Sequence, residues 1–169
     1  MAKRKEGKLR LNSMRVLEAY GVPYEVFTYP PARHSAVEVA ELAGVPPAQV
    51  YKTLVVQRER GKPLLVMIAG DRQLDLKRLA AALGEKKLAM APQREAERLT
   101  GLQVGGISAL ALLNRGFEIL LDRAAREQGD IYVSAGQRGV NLRLAVDDML
   151  RVTGARLVEA TGLTGKEDG

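Results

Sequence analysis

The chain has 169 residues, 46% of them hydrophobic and 27% charged, which suits one domain with a full hydrophobic core. It holds no cysteine and a single histidine, so a disulfide framework, a thiolate metal site, a cysteine nucleophile and a histidine metal cluster are all excluded by composition. A net charge of +6 fits a polyanionic partner such as an RNA backbone, whereas 4% aromatic residues argue against a platform that stacks bases on rings.

Residues 1–9 read as a basic flexible tail, with Lys3, Arg4, Lys5 and Lys8 carrying much of the excess charge. No apolar run approaches the roughly 20 residues that span a bilayer, and the opening residues lack the apolar stretch of a signal peptide. A cytoplasmic protein with no membrane partner is expected. From Asn12, read as an N-cap, Met14, Leu17 and Tyr20 recur at helical spacing up to Gly21. Val22 to Tyr29 reads as a strand that Pro30-Pro31 ends. Ser35 and Glu38 then match a capping box, which opens a helix running from about Ala36 to Ala43.

Val50-Tyr51-Lys52-Thr53-Leu54-Val55-Val56 is the central strand of this reading. Alternation puts Val50, Lys52, Leu54 and Val56 on one face and Tyr51, Thr53 and Val55 on the other. Both faces are mostly apolar, so the Lys52 ammonium must snorkel to water, meet an anion or line a cleft. Gly61-Lys62 turns the chain into a second strand, Leu64 to Ala69. Asp75 caps a third helix stopped by Gly84. Lys86 to Met90 reads as a short strand, and Pro92 to Gly101 frames a polar surface helix. Phe117 to Leu121 is a strand followed by a helical turn. Ile131 to Ser134 and Val140 to Leu144 form an antiparallel hairpin around Ala135 to Gly139. Asp147-Asp148 opens a last helix, where capping and dipole roles outweigh acid-base work. Residues 161–169 read as a polar tail, leaving 10–160 as one domain. The mixture of hairpins and helices without a βαβ rhythm predicts an α+β fold with a mixed, mostly antiparallel sheet.

Several chemical signatures are absent: the chain has no GxGxxG, Walker lysine motif, HExxH or GxSxG. His34, in a proline-bounded loop, reads as a solvent-facing or backbone-bonded residue before it reads as a general base. Gly105-Gly106-Ile107-Ser108 carries two readings. Its amides can converge on a carbonyl or phosphate oxygen, or it is a glycine-rich turn between elements. Ser134-Ala135-Gly136-Gln137-Arg138-Gly139 is likewise a plain hairpin tip or a rim that offers a hydroxyl, amides and a guanidinium to an anion.

Four pieces in this order and spacing resemble the YbaK/EbsC family of free-standing editing deacylases: Tyr51-Lys52-Thr53-Leu54, Gln73-Leu74-Asp75-Leu76-Lys77, Val104-Gly105-Gly106-Ile107-Ser108, and Ile131-Tyr132-Val133-Ser134 with Arg138-Gly139. The likeness runs from about Met14 to Leu157. The family is related to the editing insertion of bacterial prolyl-tRNA synthetases, and Thr53 with the QLDLK segment favours the branch that clears cysteine from proline tRNA.

The resemblance implies a compact α+β domain with a barrel-like sheet, no metal and no organic cofactor. It implies Lys52, Gly105 and Gly106 as the groups acting on the ester, with the Gly106 amide among the oxyanion donors. Tyr29, Thr53, Ile107, Ser108, Ser134, Gly136, Arg138 and Asn141 would bind substrate. The implied partners are the 3′ acceptor end of an aminoacyl-tRNA and prolyl-tRNA synthetase. A non-catalytic module that binds tRNA or a synthetase through the same cleft is the alternative. Two residues depart from the family pattern: Ala109 stands in place of a proline, and Asn141 in place of an aspartate.

Overall fold

The computed structural model describes residues 9–162, so the basic run of residues 1–8 and the end of the polar tail lie outside the described residues. In chain order the elements are α1 (Asn12–Ala19), β1 (Glu25–Thr28), α2 (Ala36–Ala43), β2 (Tyr51–Arg58), β3 (Leu64–Ala69), α3 (Leu76–Leu83), β4 (Leu88–Met90), α4 (Gln93–Thr100), β5 (Glu118–Asp122), β6 (Asp130–Ser134), β7 (Val140–Ala145), α5 (Val146–Thr153) and β8 (Arg156–Val158). Short 3₁₀ turns at Pro47–Gln49, Leu110–Arg115 and Arg123–Glu127 join some of them.

The strands form two sheets. One has the order β1-β7-β6, with both pairings antiparallel. The other has the order β4-β2-β3-β5-β8, antiparallel around β2 and parallel where β5 joins β3 and β8. The sheets meet at one isolated parallel bridge, Val50 to Tyr132. They do not close on one another, so "barrel-like" describes the arrangement only loosely, while the α+β class and the mostly antiparallel pairing hold.

Alternation along β2 and β3 accounts for the core. Tyr51, Val55, Leu65, Met67 and Ala69 pack into the larger cluster with α1, β6, β7 and α5. Leu54, Val56, Leu64, Val66 and Ile68 pack on the opposite face against Leu79 of α3, Leu120 and Val158. All six residues of β3 are buried. Each such aliphatic side chain contributes about 1.5–3 kcal/mol by leaving water, so the β2–β3 hairpin anchors both layers.

The local signals behave as their chemistry requires. The Ser35 hydroxyl accepts from the Glu38 N–H while the Glu38 carboxylate accepts from the Ser35 N–H, completing the capping box. Asp75 caps α3 by accepting from the Arg78 N–H, and Gly84 ends that helix in the left-handed region.

Two expectations change. Asn12 is the first residue inside α1, not its cap: Leu11 holds the cap position without a side-chain bond, and the Asn12 Oδ1 accepts from Arg15. Thr161, read as the start of a polar tail, is buried. Its hydroxyl donates to Asp122 and accepts from Arg72, and the Ala160 N–H donates to the same Asp122 carboxylate. Buried Asp122 needs donors, and the chain beyond β8 supplies them.

Candidate active site

Beyond the Val50–Tyr132 bridge, β2 and β6 run on in the same direction but part, because each belongs to a different sheet. The wedge between them is a cavity of about 360 Å³. Its walls come from the end of β1, the 33–35 loop and start of α2, residues 50–54, the end of β3, the 104–107 loop, and the facing ends of β6 and β7.

Lys52 lies in this wall, half-buried. Burial pulls its pKa below the ordinary lysine value, and the Asp71 carboxylate opposes that shift. Among the described residues its ammonium makes no ion pair or hydrogen bond. Among the described residues, those lining the cavity include Arg33 and Lys52 but no aspartate or glutamate, so the cleft is built to receive an oxygen-rich or anionic group.

Tyr29 and Asn141 form the opposite wall. The Tyr29 hydroxyl donates to the Asn141 Oδ1 at 3.1 Å, and burial raises the phenol pKa above its usual value, keeping it a neutral donor. Asn141 thus brings a neutral amide to the cavity wall, with one lone pair of its oxygen taken by the Tyr29 hydroxyl. His34 packs edge-on against Tyr29 and lies 3.1 Å from the Pro30 carbonyl oxygen, the backbone-bonded reading of the sequence.

The cavity thus brings together Lys52, Thr53, Tyr29, Gly105, Ile107, Ser134 and Asn141 of the residues singled out from sequence. The other four stand one layer back. The Gly106 N–H is not aimed at a ligand, because it donates to the Gln103 carbonyl at 2.7 Å. What requires glycine there is contact: a Cβ would meet the Gln137 carbonyl carbon at 2.8 Å and the Arg138 nitrogen at 2.9 Å. Ser108 is buried, and its hydroxyl accepts from the Ala111 N–H. Arg138 donates to the Val104 carbonyl at 2.8 Å and lies along Gly105, holding the 104–107 loop to the hairpin tip. The Gly136 N–H donates to the Ser134 hydroxyl, fixing the end of β6. Ala109 is buried and precedes the 3₁₀ turn in helical backbone geometry.

Arg33, Tyr51, Leu54, Gly70 and Val104 also line the cavity. Nothing in their periodicity announces this. Gly70 carries one legible reason, since a Cβ there would meet the Ala36 Cβ at 2.8 Å where α2 crosses the end of β3.

The fold and the cleft define a mixed α+β domain with a cationic pocket where two sheets part. The profile of the aminoacyl-tRNA editing domain family matches residues 30–152, and the chain belongs to that family. A protein of Enterococcus faecalis assigned as a Cys-tRNA(Pro)/Cys-tRNA(Cys) deacylase, EbsC, is 36% identical over 95% of this chain and 98% of its own length. A proline–tRNA ligase of Thermodesulfovibrio yellowstonii is 35% identical over 77 residues, 46% of this chain and 13% of the ligase. Among solved structures, one assigned as a trans-editing enzyme for prolyl-tRNA synthetase superposes with a TM-score of 0.78 at 25% identity, covering 92% of this chain and 99% of that one. The hypothetical protein APE2540 superposes with a TM-score of 0.82, also at 25% identity, covering 89% and 99%.

Proposed function

We propose that this protein is a trans-acting aminoacyl-tRNA deacylase that hydrolyses the ester of mischarged tRNA, with cysteine on proline tRNA as its principal substrate. The observation that carries the reading is a half-buried Lys52 that, among the described residues, is unpaired and stands in a cleft with no acidic lining residue. Full-length similarity to a deacylase assigned to this substrate supports the same reading.

An aminoacyl ester is already activated, so hydrolysis needs the carbonyl oriented, its developing oxyanion met by donors, and water admitted. Water adds to the carbonyl carbon, the bond to the ribose oxygen breaks, and that oxygen takes up a proton. Free amino acid and tRNA with an intact terminal ribose are released. Lys52 holds the 3′-terminal nucleotide or the ester oxygen by charge and hydrogen bonding. Asn141 offers donors from the far wall, and the partly open cleft supplies water. The work is cytoplasmic in this reading, alongside prolyl-tRNA synthetase, because a synthetase pocket rejects an amino acid of similar or smaller size only weakly.

The test is a panel of proline tRNA charged with cysteine, alanine, serine or proline. Release of cysteine above the spontaneous rate by the intact protein, lost in Lys52→Ala, is the expected result. Salt-sensitive tRNA binding without hydrolysis would instead identify a binding module.

A further inference from the structure

The main-chain edge of β2 that faces the cavity has a polarity the side chains do not reveal. The Val50 carbonyl accepts from the Gly70 N–H on the β3 side, whereas the Val55 carbonyl accepts from the Ala91 N–H on the β4 side. Backbone groups alternate in direction along a strand, so even-numbered residues here turn to β3 and odd-numbered ones turn away from it. The register agrees, with β2 paired to β3 from Tyr51 to Val56. On the other edge β4 and Ala91 after it reach back as far as Val55, and β6 bridges at Val50. Thr53 lies in the gap between these neighbours, and it lines the cavity. Its N–H and C=O both point into the cleft, and among the described residues no strand or loop pairs with them.

We propose that this open edge is the receptor for the aminoacyl group, which docks as a one-residue strand. In an antiparallel hydrogen-bonded pair, two opposed residues exchange both of their N–H···O bonds, and adding a strand to an exposed edge is a general mode of recognition. An aminoacyl ester carries the required groups in the required order: an α-ammonium, a tetrahedral carbon and a carbonyl. The Thr53 carbonyl accepts from the ammonium, and the Thr53 N–H donates to the ester carbonyl.

This assignment meets two needs at once. Among the described residues none that lines the cavity is acidic, so the ammonium needs a neutral acceptor, and a strand carbonyl is one. The Gly106 N–H is bonded within its own loop, so an oxyanion donor must come from elsewhere, and an unpaired strand N–H serves. The inference rests on the deacylase reading and specifies how that site grips its substrate. Because the contact is to main chain, it leaves the amino-acid side chain to be judged by the cavity walls.

The test uses the intact protein labelled with ¹⁵N and titrated with 3′-cysteinylamino-3′-deoxyadenosine, an amide analogue that does not hydrolyse. The expected result is a downfield shift of the Thr53 amide proton and slowed exchange with solvent. The second arm is Thr53→Pro, which deletes that donor at a non-hydrogen-bonded position of the β2–β3 pairing, so no ladder bond to β3 is lost. It should lower kcat/KM by about 100-fold, the usual effect of removing one oxyanion donor. A Thr53 amide that does not respond to bound analogue overturns the proposal, as does a folded Thr53→Pro protein within threefold of the parent rate. If the analogue shifts Thr53 but no charged tRNA is hydrolysed, the edge is a receptor and it is the deacylase reading that fails.

Discussion

The Tyr29 hydroxyl donates to the Asn141 Oδ1 across the end of the β1–β7 pairing, 3.1 Å apart and 112 residues apart in sequence. This contact ties the asparagine to Tyr29 in the cavity wall, where a neutral amide stands in place of a carboxylate. Asn141→Asp would put a carboxylate, an acceptor-only group, into the wall of the cleft that receives the substrate ammonium. It should lower KM for free-amine esters by about tenfold, in line with roughly 1.5 kcal/mol for a charge-assisted hydrogen bond. Steady-state kinetics on charged tRNA would check this, and an unchanged or higher KM would place the ammonium elsewhere.

Lys52 is depressed below the ordinary lysine pKa of 10.5 by burial, with Asp71 pulling the other way. If its ammonium form is the one that acts, activity is present below the folded pKa and declines as pH rises through it. The alkaline limb of kcat/KM, corrected for spontaneous ester hydrolysis, should therefore fall below 10.5. Lys52→Arg keeps the charge at every accessible pH and should abolish that limb even where it lowers the rate.

The depressed pKa also bears on stability. Burial disfavours the charged form in the folded state, so protonated Lys52 is a cost that is largest below the folded pKa and disappears above the unfolded value. Lys52→Met, which keeps the stem and drops the charge, should raise the melting temperature at neutral pH while removing activity. A lower melting temperature would mean that the ammonium is stabilised by its surroundings.

Gly106 touches the main chain of the hairpin tip at Gln137 and Arg138, where a Cβ would stand under 3 Å from backbone atoms. Gly106→Ala should therefore force the 104–107 loop and the hairpin apart and cost about 1–3 kcal/mol. Denaturant unfolding would measure the loss, and activity should fall with it because Gly105 and Ile107 line the cleft. A variant of parental stability would show that the two loops separate freely.

The Tyr51 hydroxyl is buried and has no hydrogen-bond partner among the described residues. An unmet buried hydroxyl costs about 1–3 kcal/mol, so Tyr51→Phe should be neutral or more stable by about 1 kcal/mol in thermal unfolding. A clear loss of stability would indicate a partner for the phenol in solution.

What the sequence by itself determined here is local and periodic. Alternation from Val50 to Val56 placed two apolar faces on β2, and both are packed. The Ser35–Glu38 box, the Asp75 cap, the β2–β3 hairpin and the β6–β7 hairpin were legible for the same reason: each is settled by bonds within a few residues or by a turn too short for any other pairing. Seven of the residues named for the cleft do line it, because the motif that carried them spans most of the folded chain.

What only the tertiary structure decided is where main-chain donors point and what they already hold. The Gly106 N–H is spent on Gln103, and Thr161 is drawn into the core by Asp122. The Thr53 backbone is left open because β4 stops at one side of it and β6 diverges at the other. No side-chain pattern encodes such facts. Every residue but proline carries the same N–H and C=O, and their partners depend on which strand, loop or empty cleft the rest of the chain brings alongside.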